Sequence, residues 1–305
     1  MPNPVDLSDN IPDDPTDTIS LIEQLETDLL KAVAQYREQV LAALEEAAVK
    51  KKQEVSRPTI DINSYSAAIA ATASRVKIEN RKIIEQRTKE GYLKGIKFSQ
   101  QGLHPYKITV AYNLPYDKSV IEALQARNTG AFSGVTNDMG KEIIRSVSEG
   151  AINGETVKQL SARVEVAVDG IGPVRAETIA RTELMKSVNT AVRLRYESSG
   201  VTKMRRMETK DERTCTDWEF NVGGKIYLGC KAIDGQTFTL EEAAEIDMQA
   251  HPACRGSWTP VIEGLNPKLT SKMPDLDSHG PKIFVGEGIP KGAKEGDMWV
   301  IADAR

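Results

Sequence analysis

Apolar side chains recur at steps of three and four near the start of the chain: Ile22, Leu25, Leu29, Val33, Tyr36, Val40, Leu44 and Ala47. That spacing places them on one stripe of a helix of about 30 residues, and so about 45 Å long. The helix is expected to begin near Asp17 or Thr18. Lys50-Lys51-Lys52 suits its C-terminal end, where cations meet the negative end of the dipole, and Pro58 follows as a stop. So long a helix rarely stands alone in water. Its stripe must pack on a partner helix, in this chain or another.

A second helical stretch is expected over roughly Asn63 to Gly95. Tyr106, Ile108, Val110 and Tyr112 then alternate with Lys107, Thr109 and Ala111, which predicts a half-buried strand. Pro115 ends it, and Asp117 is placed to cap a short helix with Val120, Ile121 and Leu124. Helical spacing resumes at Asn137 or Asp138 and runs to Gly150. Gly154-Glu155-Thr156 opens the next helix, with Val157, Leu160, Val164 and Val168. Gly170-Ile171-Gly172-Pro173 reads as a turn, and a further helix from there carries Ala180-Arg181-Thr182-Glu183 and closes at Gly200. Beyond it the texture changes. Val201 to Met207 predicts a strand, Gly223-Gly224 a turn into a short strand, Leu240 to Ala250 a helix, and Trp258 to Ile262 a last strand.

The fold class that follows is α+β and mostly α-helical: a long N-terminal helix, a helical middle and a small mixed Cys/His module near the C-terminus. The expected organisation is a flexible acidic arm (1–16), the long amphipathic helix (17–57), a basic helical segment with a strand (58–136), a core domain with the Cys/His module (137–265) and a Gly/Pro-rich tail (266–305).

Charge alters this picture locally. The net charge is only -4, so no global field draws in nucleic acid. Residues 1–30 hold eight acidic residues and no Lys or Arg. Between Ser66 and Lys97, eight basic residues face three acidic ones, a net of +5. Arg75, Lys77, Arg81, Lys82, Arg87 and Lys89 therefore form a candidate surface for nucleic acid or an acidic partner. The plainer reading is a solvated helix face, and it is the more common one for such runs. No apolar run approaches the ~20 residues of a membrane helix, and the N-terminus lacks the pattern of a secretory signal.

Candidate chemistry gathers in one place. All three cysteines, Cys215, Cys230 and Cys254, lie within some fifty residues together with His251, one of three histidines. Thiolate and neutral imidazole are the ligands zinc prefers, and four donors of Cys3His type make a closed tetrahedral structural site. His251 and Cys254 have knuckle-like spacing, while Cys215 and Cys230 do not. Asp211 and Asp217 are lesser candidates as oxygen ligands. The alternative is that His251 caps a turn and the cysteines are small buried apolar groups. Arg181 and Glu183 are expected to tie their helix to the module through buried ionic hydrogen bonds. Asp234-Gly235 reads as a turn. Arg255 suits a pair with Asp211 or Asp234, or a reach to a phosphate.

These pieces, taken in order, carry a resemblance. Gly154-Glu155-Thr156 with Leu160 precedes Ala180-Arg181-Thr182-Glu183. Then come Asp211-x-Arg213-Thr214-Cys215, Asp234-Gly235 and His251-Pro252-x-Cys254-Arg255. The set, over about residues 137–261, resembles the phage head morphogenesis family, also called minor head or Mu F-like proteins. Many members of that family carry Cys-x-x-Cys where this chain has Cys215-Thr216-Asp217-Trp218, and Cys-Arg-Cys where it has Cys254-Arg255-Gly256. The resemblance implies a non-enzymatic, low-copy component of a tailed-phage capsid, formed in the host cytoplasm and carried in the virion at the capsid interior or portal vertex. Its implied partners are the portal protein, the scaffold and major capsid proteins, and double-stranded DNA during packaging or ejection, with no membrane. Two other classes stay open: a metal-dependent nuclease or hydrolase, and a DNA-binding protein without catalysis. Against the first, the chain has no His-Glu-x-x-His and no carboxylate cluster at helical spacing.

Overall fold

The computed structural model of the chain describes residues 16–49, 60–106, 108–110, 114, 116–209, 214–262, 283–285 and 298–300. The N-terminal arm, the Lys50–Lys52 run, Pro58, Asp211, Arg213 and most of the C-terminal tail lie outside these residues. The fold is α+β and mostly helical.

Four long helices come first: α1 (Ile19–Val49), α2 (Ile62–Leu103), α3 (Asp117–Ile152) and α4 (Val157–Ser198). The stripe on α1 finds its partners within this chain, because α1 packs on α2 and α4 while α3 packs on the same two. Leu25, Leu29, Tyr36, Val40 and Leu44 of α1 are buried in one core with Tyr65, Ile69, Met139, Val164 and Leu184. Helix starts follow local chemistry. Asp61 caps α2 by accepting from the backbone N–H groups of Asn63 and Ser64. Thr156 and Gln159 form a reciprocal capping box at α4, and Gly200, with φ +75°, follows its last turn.

Two expected breaks in the bundle are absent. The predicted boundary at residues 136–137 lies inside α3, which runs unbroken through Gly134 and Gly140. The expected turn at Gly170-Ile171-Gly172-Pro173 lies inside α4. Gly172 is there for packing: a Cβ would stand 2.5 Å from Val33 Cγ1 of α1. α2 and α4 also cross closely, since a Cβ on Gly95 would meet the Val188 carbonyl oxygen at 2.4 Å. The strand expected around Tyr106–Tyr112 is not formed at residues 108–110, which are irregular. Val110 is buried and Ile108 packs beside it, so the alternation there meets a core wall and not a partner strand.

A small mixed module follows α4. Its three-stranded antiparallel sheet has the order β4-β1-β5, from β1 (Lys203–Met207), β4 (Thr237–Thr239) and β5 (Ser257–Val261). Between β1 and β4 lie a hairpin, β2 (Glu219–Val222) with β3 (Lys225–Leu228), and the one-turn helix α5 (Cys230–Ile233). α6 (Leu240–Gln249), opened by a Thr239–Glu242 capping box, lies between β4 and β5 in the chain. Met204, Phe220, Phe238, Ile246 and Trp258 build a second core, closed on one side by Val188, Val192 and Tyr196 of α4. The short strands β6 (Ile283–Val285) and β7 (Met298–Val300) pair in parallel.

Candidate metal centre

The chain brings its three thiols and one imidazole together by three local devices. Cys215 precedes the β2–β3 hairpin and Cys230 follows it. The hairpin closes the fifteen-residue gap that the sequence left without a knuckle: Gly229 N–H donates to the Trp218 carbonyl at 2.6 Å and Cys230 N–H to Cys215 Sγ at 3.1 Å. Gly229 has φ +80°, and a Cβ on it would stand 2.6 Å from the Cys215 carbonyl oxygen, so glycine is what lets the two strands of chain close. At the other side, Cys254 N–H donates to the His251 carbonyl at 3.2 Å, forming a tight turn. Ala253 in that turn is left-handed at φ 61°, and Thr182 Oγ1 of α4 holds it by accepting from Ala253 N–H at 2.8 Å.

The donors converge. Cys230 Sγ lies 3.2 Å from His251 Nε2 and 3.9 Å from Cys254 Sγ. Cys215, Cys230 and His251 place one donor atom each within 4.8 Å of one another, and so do Glu208, Cys230 and Cys254. A tetrahedral ion with metal–sulfur bonds of about 2.3 Å has sulfur–sulfur edges of about 3.8 Å, which the Cys230–Cys254 separation of 3.9 Å matches, and Cys230 is the donor that the two triads share. The imidazole is also set up as a ligand. Its Nδ1 faces the Pro252 carbonyl at 2.8 Å, which turns Nε2 toward the sulfurs. All three cysteines are free thiols. The Cys230 thiol donates to Cys254, pushing Cys230 up and holding Cys254 well below the ordinary thiol range, with the Arg206 guanidinium helping. Hydrogen bonding to that Cys254 thiolate raises His251 to about 9.

Behind the sulfurs sits a group that the sequence reading did not single out. Arg206 is 1% exposed and reaches four partners. Its Nε donates to Glu208 at 2.6 Å, Nη1 to Asp247 at 3.4 Å and Nη2 to Cys254 Sγ at 3.3 Å, while its carbon lies 4.8 Å from the Trp258 ring centre. Burial pushes the Glu208 carboxyl up to about 7 despite the guanidinium beside it. The signal was present in the strand: Met204, Arg206 and Glu208 share one parity, and that face is buried.

Other predicted residues have different roles. Arg181 pairs with Glu177 at 3.6 Å on its own helix, in the expected order, and Glu183 meets Arg127 of α3 at 3.3 Å and Lys186 at 3.9 Å. None of these three pairs bridges α4 to the module. Short polar side chains of α4 do that instead. Besides Thr182, Asn189 donates to the Gly256 carbonyl at 3.0 Å and accepts from Ser257 Oγ at 3.1 Å. Asp234-Gly235 is the expected turn, with Gly235 at φ +71°; Asp234 accepts from Glu208 N–H at 3.0 Å, which docks the turn on β1. Arg255 lines the small crevice over Cys215, Cys230 and His251, with Glu208 and Thr214. Asp217 is exposed and outside the cluster.

The basic segment of α2 is divided by the structure. Arg87 is half-buried and pins α1 through Asp28 at 3.1 Å and Gln24 at 2.8 Å, while Glu90 on its own helix accepts from it at 3.0 Å. Arg81 pairs with Glu85 at 2.5 Å. Arg75, Arg81, Lys82 and Lys89 face solvent and Lys77 is half-buried. A wider cleft than the crevices at the cluster lies elsewhere, between α3 and α4. Its carboxylates are already engaged, Glu155 with Arg163 and Glu142 with Arg145. No helix among the described residues is long and apolar enough to cross a membrane. Compared with known families, curated proteins and solved structures, the chain matches none.

Proposed function

We propose that the chain is a non-catalytic structural protein of a tailed-phage head, of the head morphogenesis type, in which a zinc ion at Cys215, Cys230, His251 and Cys254 holds the C-terminal module together. The observation that carries the reading is how the motif pieces relate in space. Ala180-Arg181-Thr182-Glu183, Asp234-Gly235 and His251-Pro252-Ala253-Cys254-Arg255 are far apart in sequence. They meet in one unit, through Thr182 on Ala253 and through Glu208 between Asp234 and the sulfurs. An ordered motif set that folds into one compact knot supports a shared structural job.

Zinc suits the donor set. Two donor triads share Cys230; closing Cys215, Cys230, His251 and Cys254 on one ion would fill a tetrahedron, and filled sites are structural, whereas a catalytic ion keeps a position open for water or substrate. The ion would supply rigidity: it would join the ends of the β2–β3 hairpin to the turn that α4 holds. In this reading the four-helix bundle is the assembly element. It presents the solvent face of α2, with Arg75, Lys77, Arg81, Lys82 and Lys89, to an acidic surface of the portal protein, the scaffold or major capsid proteins, or packaged double-stranded DNA. The protein would form in the host cytoplasm and reside in the virion.

Co-expression with the neighbouring portal protein tests the proposal. The expected result is co-migration of this chain with portal oligomers on size-exclusion chromatography. Persistent separation of two folded proteins would overturn it. Steeply salt-dependent binding to duplex DNA, in place of portal binding, would favour a DNA-contacting role.

A further inference from the structure

We infer that Arg206 transmits metal occupancy at the Cys/His cluster to the seam between the module and α4. The inference rests on the metal reading above and assigns that site a regulatory consequence: the bound ion locks the module onto the bundle.

The argument begins with charge. Three thiolates and a neutral imidazole around a divalent ion leave one net negative charge in a buried place. A buried unpaired charge is costly, and Arg206 is a cation in contact with the sulfurs, its Nη2 donating to Cys254 Sγ at 3.3 Å. The same guanidinium is itself buried and needs anions on its other sides, which Glu208 and Asp247 provide. Metal-bound Cys254 would fix the sulfur as the third anionic partner of the fork.

The network does not stop at Arg206. Asp247 Oδ1 also accepts from Trp258 Nε1 at 3.0 Å and from Asn189 Nδ2 of α4 at 3.4 Å. Asn189 in turn grips the Gly256 carbonyl and Ser257 Oγ at the start of β5. A continuous polar chain thus runs from the sulfur through Arg206 and Asp247 to Asn189 in the C-terminal part of α4. It has no slack, because a Cβ on Gly256 would stand 2.1 Å from Arg206 Nη2 and 2.2 Å from Glu208 Oε1. Lysine cannot replace the guanidinium here. It is a point charge, and the site asks for three directed N–H groups and a flat face against Trp258.

The test uses the whole chain. Zinc affinity is measured by competition with a chromophoric chelator for the wild type, Arg206→Lys and the exposed control Arg175→Lys. Hydrogen exchange of α4 around Asn189 is followed with and without zinc, and the thiolate-to-cobalt charge-transfer band is recorded after cobalt(II) substitution. The expected result is zinc-dependent protection around Asn189 in the wild type. In Arg206→Lys that protection is lost, zinc binds about tenfold more weakly and the cobalt band shifts; Arg175→Lys behaves as wild type. A folded Arg206→Lys with wild-type affinity and an unmoved band overturns the inference. If Arg206→Lys does not fold, the wild type decides alone: tight zinc binding without any change in exchange at Asn189 overturns it. A wild-type chain that binds no zinc sinks the metal reading and the inference with it, a result distinct from the other two.

Discussion

The bundle and the module solve the same problem by different means. The bundle buries long apolar stripes, and Tyr36, Val40, Leu44, Ile143 and Leu184 pack with almost no charge among them. Among the described residues the module has short strands of three to five residues and one helix longer than a turn after α4. It gathers Arg206, Glu208, Asp247, three thiols and an imidazole around Trp258, most of them buried. Long helices order themselves mainly by apolar area, and the buried Arg195–Asp117 pair with Tyr92 joins α2, α3 and α4 on top of it. A region with little regular structure leaves many polar groups inside and must pair them, and directional bonds or an ion then replace area as the source of order.

Four changes would break or sharpen that contrast. The largest effect is expected from Cys230→Ser, because Cys230 touches both halves of the cluster. It forfeits a metal-binding free energy of the order of 10 kcal/mol. Near-ultraviolet circular dichroism from Trp258 should collapse, while the far-ultraviolet helical signal of the bundle persists. If both signals fall together, the two regions are one cooperative unit and the contrast fails.

Gly95→Val is the mirror experiment in the bundle. The new side chain would drive into the Val188 carbonyl and Ala191, where backbone cannot yield, at a cost of about 3 kcal/mol or more. Chemical denaturation should show the loss in the helical transition, with zinc content per folded chain unchanged. Gly256→Ala comes next. It adds one methyl between Arg206 and Glu208 and should destabilise the module by about 2 kcal/mol, with weaker zinc retention in a chelator challenge.

A comparable effect, spread over pH, concerns the metal-free protein. Glu208 is raised from 4.5 to about 7 by burial, so the folded state holds its proton where the unfolded state has released it. The sign follows: stability falls as pH rises from about 4.5 to about 7, and is level beyond that, by an amount of order 3 kcal/mol. Melting temperature between pH 5 and pH 8 should trace that fall in the wild type and a flatter line in Glu208→Gln. An unchanged slope would show that Glu208 is not the group responsible.

How much of this was readable in the chain follows the same division. The stripe of α1, the Thr156 start, the Gly200 stop and the strands at Val201–Met207 and Trp258–Ile262 rest on local periodicity and capping, and these are local signals. Gly170-Ile171-Gly172-Pro173 misleads because the reason for Gly172 is Val33, well over a hundred residues away, and no window contains both. Tyr106–Tyr112 misleads because alternation reports a buried face, not a hydrogen-bonded neighbour. In the site, the grouping of Cys215, Cys230 and His251, and of Cys230 with Cys254, is legible from residue type and crowding alone. Arg206 is not, because arginine on a strand ordinarily means solvent, and only its shared parity with Met204 and Glu208 pointed inward. Arg181 and Glu183 drew attention as charges, yet the contacts from α4 come from Thr182 and Asn189, whose short side chains fit a close seam where long ones would not.

The central claim is that Cys215, Cys230, His251 and Cys254 form one closed metal site. Elemental analysis of the purified chain, paired with thiol titration under native conditions, tests it most directly. The account predicts one zinc ion per chain and thiols that react only after a chelator is added. A folded chain without zinc, whose thiols react at once and which gains nothing from added metal, would contradict it.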